Sequence, residues 1–166
     1  GEMPMTSARF IGKSVQRVED PSLLTGKAAF IDNLTFPGML HCAILRSPHA
    51  HARIVSIDTK AAEALPGVFA VVTGEDAKRW CNPTPTVPEG WGTYSLVTDK
   101  ARFVGEPVAA VAALSRYVAE DALELIQVEY DPLPAVADAH AALSPESPRV
   151  FDEHGSNVML QRVFTW

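Results

Sequence analysis

The sequence predicts an α+β fold built on a mixed or antiparallel sheet with short helices. Strand-like apolar runs dominate the chain, helix-like stretches are few and short, and turn signals separate nearly all of them. The 13 prolines among 166 residues add to the turn count and to the irregular connections.

Residues 1–19 read as an extended arm. Asp20-Pro21 starts a turn and Leu23 to Lys27 holds a second, before a short strand through Ala28, Phe30 and Ile31 that Asp32-Asn33 stops. Pro37-Gly38 turns the chain into the apolar run Met39 to Leu45, which suits a strand buried on both faces and is broken by Ser47-Pro48. Arg53 to Asp58 is the next strand. Thr59 caps a helix over Lys60 to Leu65, which Pro66-Gly67 ends, and Val68 to Val72 forms a β-branched strand. Thr73 to Asp76 opens another short helix, carrying Lys78, Arg79 and Trp80. A long loop rich in proline and glycine follows, with Trp91 and Tyr94 inside it. Phe103-Val104 and Val108 to Leu114 read as a strand pair interrupted by Gly105-Glu106-Pro107. Ser115 caps a helix with an apolar face from Val118 to Ile126, and Val128 and Tyr130 lead into a strand. Asp138 to Leu143 holds one more helical turn set. Asn157 to Trp166 looks like a final strand, read as a junction to something further.

Length and composition suit one domain, or one domain with a tail, with a core of ordinary size. Hydrophobic residues make up 47% and charged residues 20% of the chain, which argues against disorder. Net charge is −6 and the basic residues are scattered, so no nucleic-acid-binding face is expected. Membrane insertion is not expected either, since no apolar run reaches the roughly 20 residues a spanning helix needs. Cys42 and Cys81 lie far apart without a pattern, which points to a reducing cytoplasm.

Few constellations carry chemistry. His49 and His51 share a face if their segment is extended, and His41 lies one strand earlier, but no carboxylate or thiol completes a ligand set. A hydrogen-bonded pair at a turn is the preferred reading. No nucleophile elbow, dinucleotide fingerprint or Walker sequence is present. The acid pairs Glu19-Asp20, Glu75-Asp76 and Glu120-Asp121 suit helix caps or solvated faces. Glu106, held between two apolar segments, is expected to be partly buried with a raised pKa. It serves either as a general base or, the preferred reading, as a carboxylate satisfying backbone N–H groups at the bend. Trp91 and Tyr94 either line the mouth of a pocket or anchor their loop to the surface. No complete active site emerges.

Four stretches together resemble the N-terminal region of the molybdenum-binding large subunit of the xanthine dehydrogenase and aldehyde oxidase family. They are Arg17-Val18-Glu19-Asp20 with Leu24 to Ala28; Pro37 to Leu40 running on to Leu45-Arg46-Ser47-Pro48-His49-Ala50-His51-Ala52-Arg53-Ile54; Pro66-Gly67-Val68 with Val72 to Asp76; and Phe103 to Ala109. The second and fourth are the most specific, and the series covers nearly the whole chain. The resemblance implies the α/β-hammerhead fold over 20–145, with 146–166 leading to a molybdopterin-binding domain. It implies no catalytic, cofactor-binding or metal-binding residue in this chain. Molybdopterin with molybdenum, [2Fe–2S] clusters and FAD are instead implied for a complex. The partners implied are the remaining domains of the large subunit, an iron–sulfur small subunit and an FAD medium subunit. The chain's part in hydroxylating an aldehyde, N-heterocycle or similar small molecule, with water as the oxygen source, becomes structural. Trp91, Tyr94 and Glu106 become candidates for a substrate-funnel wall. The alternative is an independent small-molecule or protein-binding module using the 82–97 loop.

Overall fold

The computed structural model describes residues 10–164. The chain divides into two compact units, Gly1–Met39 and Leu40–Trp166.

Among the described residues of the first unit there is little regular structure. An α-helix, α1, spans Asp20–Leu24, where the sequence suggested a turn, and Pro21 occupies the first helical turn. Proline is tolerated there because the N–H it lacks would have no helical partner. Arg17 donates to the Asp20 carboxylate through both its backbone N–H and its guanidinium, at 3.1 and 3.2 Å. The strand expected through Ala28, Phe30 and Ile31 is absent. Ile31–Asn33 form a 3-10 turn instead, closed by the Asn33 N–H on the Phe30 carbonyl. Residues 28–31 pair with no neighbouring strand, and without one an apolar run has no ladder to join. Of the expected N-terminal arm, residues 1–9 lie outside the described residues, and Phe10 to Lys13 form a turn.

The second unit holds two antiparallel three-stranded sheets. One has the order β1 (His41–Arg46), β5 (Pro107–Ala113), β3 (Val68–Thr73), and the other β4 (Lys100–Ala101), β2 (Ala52–Asp58), β6 (Gln127–Pro132). The helices are α2 (Lys60–Glu63), α3 (Gly74–Trp80), α4 (Arg116–Glu124) and α5 (Ala139–Ala142). The main core lies between the first sheet and α4. Ala109, Val111 and Ala113 of β5 meet Ala62, Ala119, Ala122 and Ile126 there. Alanine on both sides lets the helix sit close to the sheet, so small side chains still exclude water.

Local chemistry sets the element ends. Ser115 Oγ accepts the Val118 N–H at 3.2 Å and starts α4, as its position suggested. Thr59 does not cap α2 as expected: its hydroxyl donates to Glu63, and the Asp58 carboxylate takes the Lys60 N–H at 3.1 Å. At α3 the Asp76 carboxylate accepts from the Thr73 N–H and hydroxyl, and the N–H bond holds its pKa below the usual value.

Two further expected strands, both in the second unit, are missing among the described residues. Phe103-Val104 form part of a tight turn in which the Glu106 N–H reaches the Phe103 carbonyl, and Gly105 takes a φ of +87°. That left-handed geometry at the third turn position favours glycine and halts pairing. The short strand before β5 is instead Lys100–Ala101. Residues 157–164 form no ladder, and Thr165 and Trp166 lie outside the described residues. Here Asn157 acts as a clip, donating to the Ala142 and Pro148 carbonyls and accepting the Val150 N–H.

Candidate functional site

The long loop after α3 is held tightly at its C-terminal end. Leu96 and Val97 are buried, and the Val97 N–H reaches the Pro107 carbonyl at 2.8 Å. The Asp99 carbonyl takes the Ile54 N–H at 2.8 Å. Further back, Thr84 and Thr93 close the loop on itself through two hydrogen bonds. These ties build one wall of an open cleft of about 330 Å³, lined also by Lys78, Arg102, Glu106, Phe151 and Glu153.

Glu106 is 6% exposed at this cleft. Its carboxylate accepts the Arg102 backbone N–H, which is the structural role preferred from sequence. Burial pushes the carboxyl up from its usual value, and the Arg102 N–H and guanidinium oppose that shift without cancelling it. A carboxyl whose folded pKa is raised stabilises the fold below its unfolded pKa and loses that contribution as pH climbs through the folded value. Glu106→Gln is uncharged throughout. The stability of the parent protein relative to Glu106→Gln should therefore fall between about pH 4 and about pH 7, read from urea unfolding at both. A constant difference would mean that burial does not perturb the carboxyl.

Arg102 is committed locally. Its guanidinium donates to the Lys100 carbonyl at 2.9 Å, lies 3.6 Å from the Asp99 carboxylate and sits 4.6 Å over the Phe151 ring. Lys100 is 1% exposed, and its ammonium lies 3.0 Å from Asp152, which Arg53 also meets at 3.2 Å. Lys100 and Arg53 hold the Asp152 carboxyl below its usual pKa, Lys100 contributing most. The segment around Phe151 and Asp152 is thus fixed by charge to the second sheet and by ring contact to Arg102.

The candidates from sequence separate here. Tyr94 and Glu106 both line the cleft. Trp91 does not. Its ring stacks on His154 at 4.0 Å and tilts against Phe151 at 5.1 Å, the anchoring arrangement weighed for it. It braces Phe151, which does line the cleft.

The three histidines do not converge on a metal geometry. His49 packs its ring 4.8 Å from Tyr130, and His51 is buried with Nδ1 2.7 Å from the Pro134 carbonyl. His41 belongs to β1 in the other sheet. Among the described residues, no group of three or more His, Cys, Asp or Glu side chains could hold a metal ion. Cys42 and Cys81 are both exposed free thiols. These residues do not fit as the ligand set of a metal or cluster.

Sequence reasoning missed Lys100, Arg102, Phe151 and Asp152. Each is an ordinary residue until the fold brings the segment after α5 back to β4, and no local pattern marks that return. Among the described residues, no helix is long and apolar enough to cross a membrane.

Residues 25–134 match the family described as aldehyde oxidase and xanthine dehydrogenase, a/b hammerhead domain. The chain is 41% identical to the carbon monoxide dehydrogenase large chain of Afipia carboxidovorans, over 94% of this chain and 20% of that one. It is 39% identical to the nicotine 6-hydroxylase large subunit of Paenarthrobacter nicotinovorans, over 84% of this chain and 18% of that one. Among solved structures, quinoline 2-oxidoreductase from Pseudomonas putida 86 superposes with a TM-score of 0.77 at 49% identity, covering 90% of this chain and 20% of that chain. The Cu,Mo-CO dehydrogenase superposes with a TM-score of 0.74 at 45% identity, covering 82% of this chain and 17% of that chain. The chain spans about a fifth of the length of these relatives.

Proposed function

We propose, from the premise that this chain belongs to the aldehyde oxidase and xanthine dehydrogenase family and contains its a/b hammerhead domain, that it forms a structural wall of the substrate funnel in a molybdenum hydroxylase. The observation that carries the reading is the cleft itself. It sets the buried carboxyl of Glu106 and the phenol of Tyr94 among the charged Lys78, Asp99, Arg102 and Glu153, with Leu96, Val97 and Phe151 as its apolar lining. Such a surface suits passage of a small molecule that carries several polar atoms beside an apolar part.

The hammerhead runs over 20–145, and 146–166 leads toward a molybdopterin-binding domain. The enzyme is a cytoplasmic assembly of the remaining domains of the large subunit, an iron–sulfur subunit and an FAD subunit. Molybdopterin with molybdenum, [2Fe–2S] clusters and FAD supply its redox chemistry, outside this chain. Its reaction is the hydroxylation of a small molecule such as an aldehyde or N-heterocycle with water as the oxygen source. This chain's contribution is to bind, orient and shape. Glu106 holds the 102–106 turn against the cleft, Tyr94 presents a polar edge, and Trp91 holds Phe151 in place.

The test is Tyr94→Ala in the full assembly. A wall residue contributes to capture and not to the chemical step, so kcat/KM should fall about three- to tenfold while kcat holds. An unchanged kcat/KM across a panel of aldehydes and N-heterocycles would remove Tyr94 from the funnel.

A further inference from the structure

The cleft beside Glu106 carries both signs of charge, and most of that charge is paired. Lys78 and Arg102 are its cations, and Asp99, Glu106 and Glu153 are its acids. The Arg102 guanidinium stands 3.6 Å from the Asp99 carboxylate, donates to the Lys100 carbonyl and covers the Phe151 ring. Its Nε is buried, out of reach of a dissolved ligand. Lys78 meets Glu75, three residues earlier on α3, at 3.1 Å. Both cations of the cleft therefore already face an acid of this chain.

The acids divide differently. Asp99 has Arg102 as its partner. Glu106 is buried, accepts the Arg102 backbone N–H, and is pushed by burial toward its neutral form. Glu153 is exposed, and among the described residues its carboxylate meets no cation. The preceding residue, Asp152, engages Lys100 and Arg53 instead. Once the pairs are formed, the charge left over in the cleft is negative and sits on Glu153. An ionised Glu106 adds a second charge of the same sign.

We propose that Glu153 makes this cleft selective for small organic cations, such as a protonated amine carrying an apolar ring, over anions of the same size. The inference rests on the funnel-wall reading above and names the charge of the molecules that the wall admits. The apolar lining of Leu96, Val97 and Phe151 receives the ring, while the Glu153 carboxylate and the Tyr94 hydroxyl accept the ammonium N–H groups. A cleft with one uncompensated sign of charge concentrates molecules of the opposite sign. An anion meets that charge as repulsion, and it gains little from Lys78 and Arg102, whose own acids stand beside them. Glu153 is a specificity residue in this account: it sorts what enters and takes no part in the chemistry.

The experiment uses the full assembly and three probes of one shape: benzylammonium, benzyl alcohol and phenylacetate, each titrated by calorimetry. The parent should bind benzylammonium at least about threefold more tightly than phenylacetate. Glu153→Gln should weaken benzylammonium about two- to fivefold and leave benzyl alcohol unchanged, because the attraction of an exposed carboxylate for one cation is modest. Glu153→Lys should reverse the order of the two ions. Glu120→Gln, which removes an exposed acid on α4, should change nothing. No binding of any probe, equal affinities in the parent, or the same loss in Glu120→Gln as in Glu153→Gln would overturn the proposal. If Tyr94→Ala still lowers kcat/KM in that case, the funnel-wall reading stands and the charge selection alone falls. An inert Tyr94→Ala removes the wall reading whatever the probes do.

Discussion

Gly74→Ala is expected to cost about 3 kcal/mol or more of stability, lowering Tm by roughly 6–12 °C. Helix propensity alone gives the opposite sign, since alanine gains up to about 1 kcal/mol over glycine in a helix interior. Sterics win. A Cβ at position 74 would sit 1.9 Å from the Val97 carbonyl oxygen and 2.8 Å from the Thr98 Cα. Both obstacles are backbone, so no rotamer change relieves them. Val97 must shift, and with it goes the 2.8 Å hydrogen bond to Pro107 that docks the long loop on β5. Leu96 and Val97 also line the cleft, so the substitution should deform the proposed funnel as well as the fold. Thermal unfolding by circular dichroism reads the first effect. An unchanged or raised Tm would mean that the close approach of α3 to the loop is wrong.

Asp152→Ala should destabilise by about 1–3 kcal/mol, whereas Lys100→Met should be nearly neutral. The difference comes from which partner is buried. Lys100 is 1% exposed, so removing Asp152 strands an ammonium away from water. Asp152 is about half exposed, so it rehydrates when Lys100 goes, and Arg53 still meets it at 3.2 Å. Methionine fills most of the vacated volume without a charge to desolvate. Its half exposure keeps the Asp152 figure toward the lower end of the range. The pH sense follows from the depressed carboxyl. Its contribution is present above the unfolded Asp pKa and is lost as pH falls through the folded value. Urea unfolding of both single variants and the double variant should show the asymmetry. Equal losses in the two single variants would contradict it.

The parts of the fold legible in the sequence are those set by local chemistry. Ser115 announced α4, Pro66-Gly67 marked the chain reversal before β3, and the apolar run after Pro37-Gly38 became β1, although alternate residues of that strand are exposed and it is not buried on both faces as expected. The errors fall where pairing partners decide. Residues 28–31 and 157–164 have strand-like composition but join no ladder, and composition carries no record of a missing neighbour. Phe103-Val104 failed for another reason, because the left-handed Gly105 converts the approach to β5 into a turn. Glu106 was legible as a buried carboxyl because an acid flanked by apolar segments and followed by proline has few exposed options. Lys100, Arg102 and Asp152 were not, because their meeting depends on a return from roughly fifty residues away. The family resemblance came from motif order, and the match over residues 25–134 agrees with it.

The domain is proposed to shape access to a molybdenum centre held elsewhere in its assembly. The most direct measurement is the mass and metal content of the species that carries this sequence in its native host, by native mass spectrometry with elemental analysis. A species several times heavier than 17.9 kDa, containing molybdenum in stoichiometric amount, is expected. A free 17.9 kDa protein without molybdenum would contradict it.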